Sequence, residues 1–365
     1  MRIAFLLIGN ESRKGTINGY NIRYGGASSS GTESSVIYIA EYLSSIGHKT
    51  TIALEKCEEP VNSNGVMYTN FSFAGDTDLE YDILVSCLWF SDYTSLPIKV
   101  NKALIYWCHL AWGYAYGDMI NYVKTNNLKF GLVSISKWAY EHNLEIKTIM
   151  ESSGVEVFTT IVPNSVAVDV MKEILENPPK RQAHRFIHHG QWSRGGETAS
   201  RAIASLDWGD SEFISFDYLD RVNGLDKKTL FNEIASSEYF VYPQITHGRL
   251  IYKDTFSVSI AEAIGLGVIV ITYPLGAVPE YFGDYCQFLE YPEGVELDKM
   301  ESERLSEDSR LDCTDNIVKL LEYLESNPEV KEKVRTAGIR YISETFNVNK
   351  IGVVWENYLK NFLYE

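Results

Sequence analysis

The stretch that decides the fold is DTFSVSIAEAIGLGVIVITYPLGAVPE, residues 254–280. It predicts a helix that starts at Thr255, Phe256 and Ser257, where a small hydroxyl side chain can cap, and that ends at two glycines. The β-branched run 268–271 follows and is typical of a strand buried on both faces of a parallel sheet. Pro279 then opens a second helix. A helix, a strand and a helix in this order predict a parallel α/β domain.

Two carboxylates, Asp254 and Glu262, flank the start of the first helix with seven residues between them. The first turn of a helix offers free N–H groups and the positive end of the helix dipole, which together suit a phosphate. Acids on either side of a bound phosphate can accept hydrogen bonds from neutral hydroxyls. A nucleotide sugar has this layout of ribose, diphosphate and sugar. The alternative is that Glu262 is a solvated helix acid and Asp254 an ordinary loop residue.

Length and composition describe a globular protein with room for two domains: 365 residues, 45% hydrophobic and 22% charged. The net charge of −16 argues against nucleic acid as a partner. Five scattered cysteines without paired spacing fit a reducing, cytoplasmic setting and predict no zinc site. The apolar run 3–8 is too short for a signal peptide. The sequence also lacks a run of about eighteen apolar residues, so no membrane span is predicted. Loose attachment to a membrane surface stays open.

The first half of the chain alternates predicted strands and helices. Strand 2–9, a long loop rich in glycine and serine, helix 34–46 and strand 48–54 form a βαβ unit. The loop lacks G-x-G-x-x-G with an acid about twenty residues later, so a Rossmann dinucleotide site is weakly supported. Further strands are predicted at 81–90, 102–109, 131–136 and 158–162, and a helix is predicted from 137.

His109 stands at the end of the predicted strand 102–109. Open α/β sheets bind their ligands at the carboxyl ends of their strands. His109 is therefore either a ligand-site residue or a structural histidine, and the sequence leaves both possibilities open.

The second half of the chain repeats the α/β pattern after a predicted linker at 164–185, which carries two consecutive prolines. Strands are predicted at 185–189, 212–216 and 239–242, and helices at 197–205 and 227–236. From 314 the chain is mainly helical. Trp355, Leu359 and Phe362 give one apolar face, which predicts a C-terminal helix that docks back on the first domain.

Seven motifs follow one another over nearly the whole chain. They are GTESSVIYIAEYLSSIGH (31–48), IYWCHLAW (105–112), LVSISKWA (132–139), IVPNSV (161–166), HGQWSRGGETASRAI (189–203), EYFVYPQ (238–244) and the stretch 254–280. In this order they resemble the glycine loop, the active-site histidine strand, the serine and Pro-Asn motifs, the phosphate loop and the E-x(7)-E region of the retaining family 4 glycosyltransferases.

The resemblance implies a GT-B fold: α/β, with two Rossmann-like parallel domains facing across a cleft and a C-terminal helix returning to the first. Residues 1–170 with 345–365 would form the acceptor-side domain, and 182–344 the nucleotide-sugar-binding domain. The implied activity is metal-independent transfer of a sugar from a nucleotide-sugar donor to an acceptor hydroxyl on a glycan, lipid or small molecule, with retention of configuration. The donor is a substrate, and no cofactor is implied.

The resemblance also implies roles for single residues. Glu262 would hold the ribose hydroxyls, while Arg194 and the N–H groups near Ser257 would take the diphosphate. Asp254 would face the donor sugar, and His109 would contact the hydroxyls of that sugar. His109, Asp254 and Arg194 would be the catalytic residues. The donor-binding set would comprise Gly26 or Gly31, between which the sequence does not decide, with Gly190, Gln191, Arg194, Phe256, Ser257, Val258 and Glu262.

Two positions depart from the family pattern. Asp254 stands where the family has glutamate, and Gln191 where it commonly has arginine. Arg194 is then the only cation in the phosphate loop, and Arg249 and Lys253 are candidates to compensate. The departures keep two alternatives open: an epimerase or hydrolase on the same fold, and a nucleotide-sugar-binding protein without turnover.

A D-x-D sequence, Asp76-Thr77-Asp78, matches the metal-binding motif of the other large glycosyltransferase fold. It lies in a polar turn before a predicted strand, and the order of elements in this chain is wrong for that fold. The prediction is therefore that no metal binds there.

Overall fold

The computed structural model describes residues 1–7, 17–27, 29–54, 57, 59–70, 80–87, 96, 98–110, 116–217, 225–245, 253–291 and 314–364. The chain forms two compact units. The first is Met1–Val166 with Phe346–Glu365, and the second is Ala167–Thr345. No helix within the described ranges is long and apolar enough to cross a bilayer.

The first unit is built on a sheet of eight strands. The strands are β1 (Arg2–Leu7), β2 (Lys49–Leu54), β3 (Val61–Ser63), β4 (Val66–Asn70), β5 (Glu80–Ser86), β6 (Lys99–Cys108), β7 (Lys129–Ser134) and β8 (Val157–Ile161). The helices before its last strand are α1 (Gly19–Tyr24), α2 (Gly31–Ser45), α3 (Tyr116–Thr125), α4 (Lys137–His142) and α5 (Leu144–Ser152). The sheet order is β3-β4-β2-β1-β5-β6-β7-β8. All pairs are parallel except the antiparallel pair β3 and β4 at one edge.

The C-terminal helix, Val348–Tyr364, packs within the first unit. Its apolar face, Trp355, Leu359 and Phe362, is buried to 2% exposure or less. The ring of Trp355 meets Trp107 of β6 with 4.6 Å between ring centroids. The predicted return of the C-terminal helix to the first domain is therefore confirmed.

The second unit contains a sheet of five parallel strands. Its elements are α6 (Val168–Glu176), β9 (Arg185–His189), α7 (Gly196–Ala204), β10 (Glu212–Phe216), α8 (Lys227–Ser236), β11 (Tyr239–Tyr242), α9 (Val258–Gly265), β12 (Ile269–Thr272), α10 (Val278–Phe282), β13 (Cys286–Phe288), α11 (Thr314–Ser326) and α12 (Pro328–Thr345). The sheet order is β10-β9-β11-β12-β13. The stretch 254–280 supplies α9, β12 and α10, and every residue of β12 is buried. The predicted α/β class is confirmed.

Several predicted boundaries shift by a few residues. The helix predicted at 34–46 begins at Gly31, because Ser30 and Glu33 form a capping box: Glu33 N–H donates to Ser30 Oγ at 3.3 Å, and Ser30 N–H donates to Glu33 Oε2 at 2.7 Å. The strand predicted at 102–109 begins at Lys99 and ends at Cys108. The strand predicted at 81–90 ends at Ser86, and 88–90 lie outside the described residues.

The segment predicted as a linker, 164–185, contains helix α6. Its apolar side chains Val170, Met171 and Ile174 are buried in the second unit at 4% exposure or less. The helix ends at Glu176, just before the two prolines. The chain passes from the first unit to the second between Val166 and Ala167, inside the predicted linker, and most of the rest of that segment is packed structure.

Candidate functional site

Polar residues collect at the carboxyl edge of the second sheet, where β9, β11 and β12 end. Ligand sites of open parallel sheets lie at this edge. The connections that start there contain all the predicted donor-binding residues of this unit: Gly190, Gln191, Arg194, Asp254, Phe256, Ser257, Val258 and Glu262. The sequence prediction thus selects residues that share one edge of one sheet.

The connection after β9 begins with a position that only glycine can fill. Gly190 has a φ of 154°, and a Cβ there would lie 2.8 Å from Cε2 of Tyr242. Gln191 follows, and its carbonyl oxygen accepts the N–H of Arg194 at 2.8 Å, closing a 3₁₀ turn. The backbone of this turn fixes where the Arg194 side chain starts.

Arg194 pairs with Asp254. Nη1 of Arg194 donates to Oδ1 of Asp254 at 3.0 Å and to the hydroxyl of Tyr242 at 3.1 Å. The side chains of the arginine and the aspartate are 17% and 6% exposed. Oδ2 of Asp254 is buried and has no hydrogen-bond partner among the residues that the structure describes. One oxygen of this carboxylate therefore orients the guanidinium, and the other is left for a ligand donor.

The backbone of Asp254 is held by two contacts. Its carbonyl oxygen accepts the N–H of Ala277 at 2.8 Å, and its N–H donates to Oε1 of Gln244 at 3.4 Å. Gln244 is fully buried in a left-handed conformation with φ 60°, and its Nε2 donates to Thr272 Oγ1 at 3.2 Å. Gly276 permits this approach, since a Cβ there would be 2.3 Å from the Asp254 carbonyl oxygen. Non-glycine residues at positive φ are costly and cluster at functional sites.

Helix α9 begins without a side-chain cap. Ser257 occupies the N-cap position with φ 68°, but its hydroxyl makes no cap hydrogen bond. Oγ of Ser257 is buried and unpartnered within the described part of the chain. The predicted hydroxyl cap is therefore not formed by the residue at the N-cap position, and the first N–H groups of α9 keep their capacity to bind an anion. The ring of Phe256 packs on the rings of Tyr281 and Phe282.

Glu262 lies in the second turn of α9 and is 1% exposed, so the alternative of a solvated helix acid is wrong. Its Oε1 accepts from Nζ of Lys227, the first residue of α8, at 2.5 Å. Its Oε2 is buried and has no partner in the described ranges. Burial raises the pKa of Glu262, and the charge of Lys227 opposes that rise. A carboxylate with one satisfied and one unsatisfied oxygen is suited to accept a ligand hydroxyl.

Three residues of this site were missed by sequence reasoning: Lys227, Tyr242 and Gln244. Lys227 opens a helix as the first of two lysines, a pattern that usually indicates a solvated face. Tyr242 and Gln244 lie in the motif 238–244, yet only its strand character was used. The position of Gln244 after a buried strand was the one available signal.

The first unit contains His109, directly after β6. It is 4% exposed, and its ring lies on Trp107 with 4.6 Å between centroids. Burial lowers the pKa of His109 to about 3. The imidazole is therefore neutral at physiological pH.

The two glycines left open by the sequence differ in conformation. Gly26 has a φ of 78°, and a Cβ added there would meet no atom within 4 Å. Gly31 is the first residue of α2 and is not among the glycines at positive φ. A backbone need for glycine therefore exists at Gly26. Asp76, Asp78 and Arg249 lie outside the described residues, and within the described ranges no cluster of three metal-ligating side chains occurs.

No family model and no curated protein match this sequence. Solved structures match over the whole chain. Sucrose-phosphate synthase from Thermosynechococcus elongatus is 11% identical with a TM-score of 0.64, covering 99% of this chain and 98% of that one. A glycosyltransferase from Rickettsia africae is 13% identical with a TM-score of 0.59, covering 100% and 99%. HepE from Anabaena, solved with UDP and glucose, is 12% identical with a TM-score of 0.58, covering 99% and 100%.

These neighbours define the class of the fold. The chain has the GT-B fold, which the order of its sequence motifs predicted. At these identities the likeness concerns the fold alone.

Proposed function

We propose that this protein is a glycosyltransferase that takes a sugar from a nucleotide-diphosphate donor and transfers it to an acceptor hydroxyl. The observation that carries the proposal is the arrangement around the start of α9. The Arg194–Asp254 pair, a helix N-terminus without a side-chain cap and the unpaired oxygen of Glu262 occur within one connected region. This order suits the sugar, the diphosphate and the ribose of such a donor.

The chemical step breaks the bond between the anomeric carbon and the diphosphate, so negative charge grows on the leaving group. The guanidinium of Arg194 and the positive end of the α9 dipole are fixed positive groups that can stabilise this charge. Metal-independent transfer is part of the proposal for that reason. Gln191 supplies no charge, which leaves Arg194 as the main cation of the loop.

Glu262 is the proposed ribose acceptor. A hydroxyl that donates to an ionised carboxylate in a dry site makes a strong, charge-assisted hydrogen bond. Since Oε2 is closed off from solvent, a ribose hydroxyl reaches it only after neighbouring side chains move. Donor binding and a local rearrangement would therefore be coupled.

Retention of configuration is proposed on the family resemblance. The acceptor would attack on the face from which the diphosphate leaves, and a phosphate oxygen would take the acceptor proton. No side chain is then required as a general base. The neutral imidazole of His109 fits a hydrogen bond to a sugar hydroxyl, with the same role at any pH well above 3.

A nucleotide-sugar-binding protein without turnover is the second candidate. Asp254 supports it, because Oδ1 of this carboxylate is engaged by Arg194 and the side chain is one methylene shorter than glutamate. Gln191, which stands where the family commonly has arginine, also supports this second candidate. Both departures would leave donor binding intact and weaken transfer.

Calorimetry and product analysis test the proposal together. The full chain is titrated with UDP-, ADP-, GDP- and dTDP-sugars, and any binding donor is then incubated with glycan, lipid and small-molecule acceptors in the presence and absence of EDTA. Transfer that survives EDTA and yields a product with the donor's anomeric configuration, read by NMR, is expected. Binding without transfer or hydrolysis would select the second candidate. Restoration of EDTA-treated activity by manganese would end the metal-independent account.

A further inference from the structure

Lys227 is an unusual residue to find beside the proposed donor site. Its side chain is 4% exposed, and Nζ lies 2.5 Å from Oε1 of Glu262, whose side chain is 1% exposed. The next residue, Lys228, is 50% exposed and pairs with Glu173 at 3.3 Å. The two lysines therefore share a helix start but have opposite environments.

Burying this pair has an energetic penalty. Both charges lose water, and a buried ion pair is often no more stabilising than two apolar side chains of similar size. The pair is also incomplete, since Oε2 of Glu262 has no partner within the described residues. Stability alone does not account for a buried cation that satisfies only half of a carboxylate.

Among the described residues around the pair, Lys227 is the cation that acts on Glu262. His189 of β9 faces Lys227, but burial, and next the charge of Lys227, lower the pKa of His189 to about 3, so it is neutral. Phe231 of α8 places its ring 5.8 Å from Nζ. Asp226 caps α8 by accepting the N–H of Thr229 at 2.8 Å. Glu173 of α6, at the surface, is bonded to Lys228.

We propose that Lys227 is a positioning residue of the donor site: it holds Oε1 of Glu262, keeps the carboxylate ionised and leaves Oε2 to receive a ribose hydroxyl. This inference rests on the proposed function. Lys227 need not touch the nucleotide, because its effect passes through the charge and orientation of Glu262. Without the cation, burial favours the protonated carboxyl, and a ribose hydroxyl loses its charged acceptor.

The test is calorimetric titration of the full chain with UDP, ADP, GDP and dTDP. Each titration is run at about pH 6 and at about pH 8, which lie on either side of the ordinary histidine pKa of about 6.5. The wild type is compared with K227M, K227R and the matched surface control K228M. Because the diphosphate itself titrates near pH 6, the quantity to read is the ratio of variant to wild-type dissociation constants at each pH.

We expect K227M to bind about tenfold more weakly at the higher pH, as loss of one charge-assisted hydrogen bond would give. The ratio should grow at the lower pH, because the unpaired Glu262 takes up a proton. K227R should recover most of the affinity, and K228M should match the wild type. Thermal melts of each variant check that it folds.

A double variant keeps the test decisive if K227M alone fails to fold. In the double variant E262Q/K227M both charges of the pair are absent, and because the lysine acts only through the carboxylate, its affinity and pH dependence should equal those of E262Q alone. If the effects of K227M and E262Q on affinity add independently, the inference is overturned. A ratio of K227M to wild-type dissociation constants that is near one, or that is equal at both pH values, would also overturn it. Tighter binding by K227M would mean that the lysine occupies ligand space, which also overturns it. If the wild type binds none of the four diphosphates, the proposed function falls and takes this inference with it.

Discussion

Two buried lysines among the described residues of the second unit have different surroundings. Lys331 of α12 donates to Glu238 at 2.9 Å, to Glu325 at 2.7 Å and to the Tyr239 hydroxyl at 3.2 Å. These groups lie around the amino end of β11. Lys227, near the opposite edge of the sheet, has one carboxylate partner among the described residues.

The difference lies in what is left unsatisfied. In the Lys331 cluster, the second oxygen of Glu238 accepts the N–H of His184 at 3.2 Å, so the carboxylate is used on both sides. In the Lys227 pair, the second oxygen of Glu262 is buried without a partner in the described chain. A polar cluster that is complete stabilises the fold, whereas an incomplete one suits a ligand. We therefore predict that the polar cluster at the amino ends of the strands stabilises the fold and that the polar residues at their carboxyl ends bind a ligand.

The largest effect is expected from a substitution that disrupts the Lys331 cluster. Lys331→Met should lower the free energy of unfolding of the second unit by about 3 kcal/mol, because two partly buried carboxylates lose their buried cation. Urea denaturation measures this, with the exposed Lys333→Met on the same helix as a control. Nucleoside diphosphate affinity in the folded variant should stay at the wild-type value. A marked loss of affinity would show that the two edges are not separate.

Arg194→Ala tests the catalytic edge. Turnover should fall about a hundredfold or more, since one preorganised stabiliser of the leaving diphosphate is removed. Affinity for the free nucleoside should change little, because that part of the ligand lies against Glu262 in the proposal. Steady-state kinetics and calorimetry are both needed. Equal turnover in the variant and the wild type would move the role to Arg249 or Lys253.

Two matched glutamate variants sharpen the comparison further. Glu262→Gln should weaken nucleoside diphosphate binding about tenfold, because the ribose hydroxyl loses a charged acceptor. Glu325→Gln should leave that binding unchanged and instead lower the thermal midpoint, since Glu325 pairs with Lys331. Both variants are measured by calorimetry and by thermal melts. If Glu262→Gln and Glu325→Gln both changed the affinity, or both changed only the thermal midpoint, the separation of binding from stability would be contradicted.

The smallest effect concerns the pH dependence of the complete cluster. Burial opposes the charge on His184, but the hydrogen bond that its Nδ1 donates to Oδ1 of Asp210 at 2.7 Å, together with the nearby Glu325, outweighs burial, so the pKa of His184 is raised. A raised pKa in the folded state gives stability that is present below the ordinary pKa of about 6.5 and is lost as pH rises through the folded value. His184 therefore contributes stability that declines between about pH 6 and pH 8, whereas the buried histidines with a lowered pKa contribute in the opposite sense. The difference in thermal midpoint between the wild type and His184→Asn should shrink over this range, and a constant difference would remove His184 from the account.

The sequence identified most of the candidate site because the relevant signals are local. The spacing of Asp254 and Glu262, the buried run that became β12 and the glycine of the phosphate loop all lie within short windows. Helix α6 was missed although its apolar spacing was visible, because two prolines dominated the reading of that segment. The C-terminal helix was assigned from one apolar face, which an α-helical repeat makes readable.

The sequence by itself therefore determined the α/β class, the order of the elements and the edge of the second sheet where polar residues collect. Tertiary structure alone decided which partners those residues have. Lys227 meets Glu262 across 35 positions of chain, and Arg194 meets Asp254 across 60. Such pairs carry no local periodicity, since they form only when separate strands of one sheet bring their connections together. The same holds for the left-handed backbone at Gln244 and Ser257, which the packing around them imposes on residues that seldom adopt it.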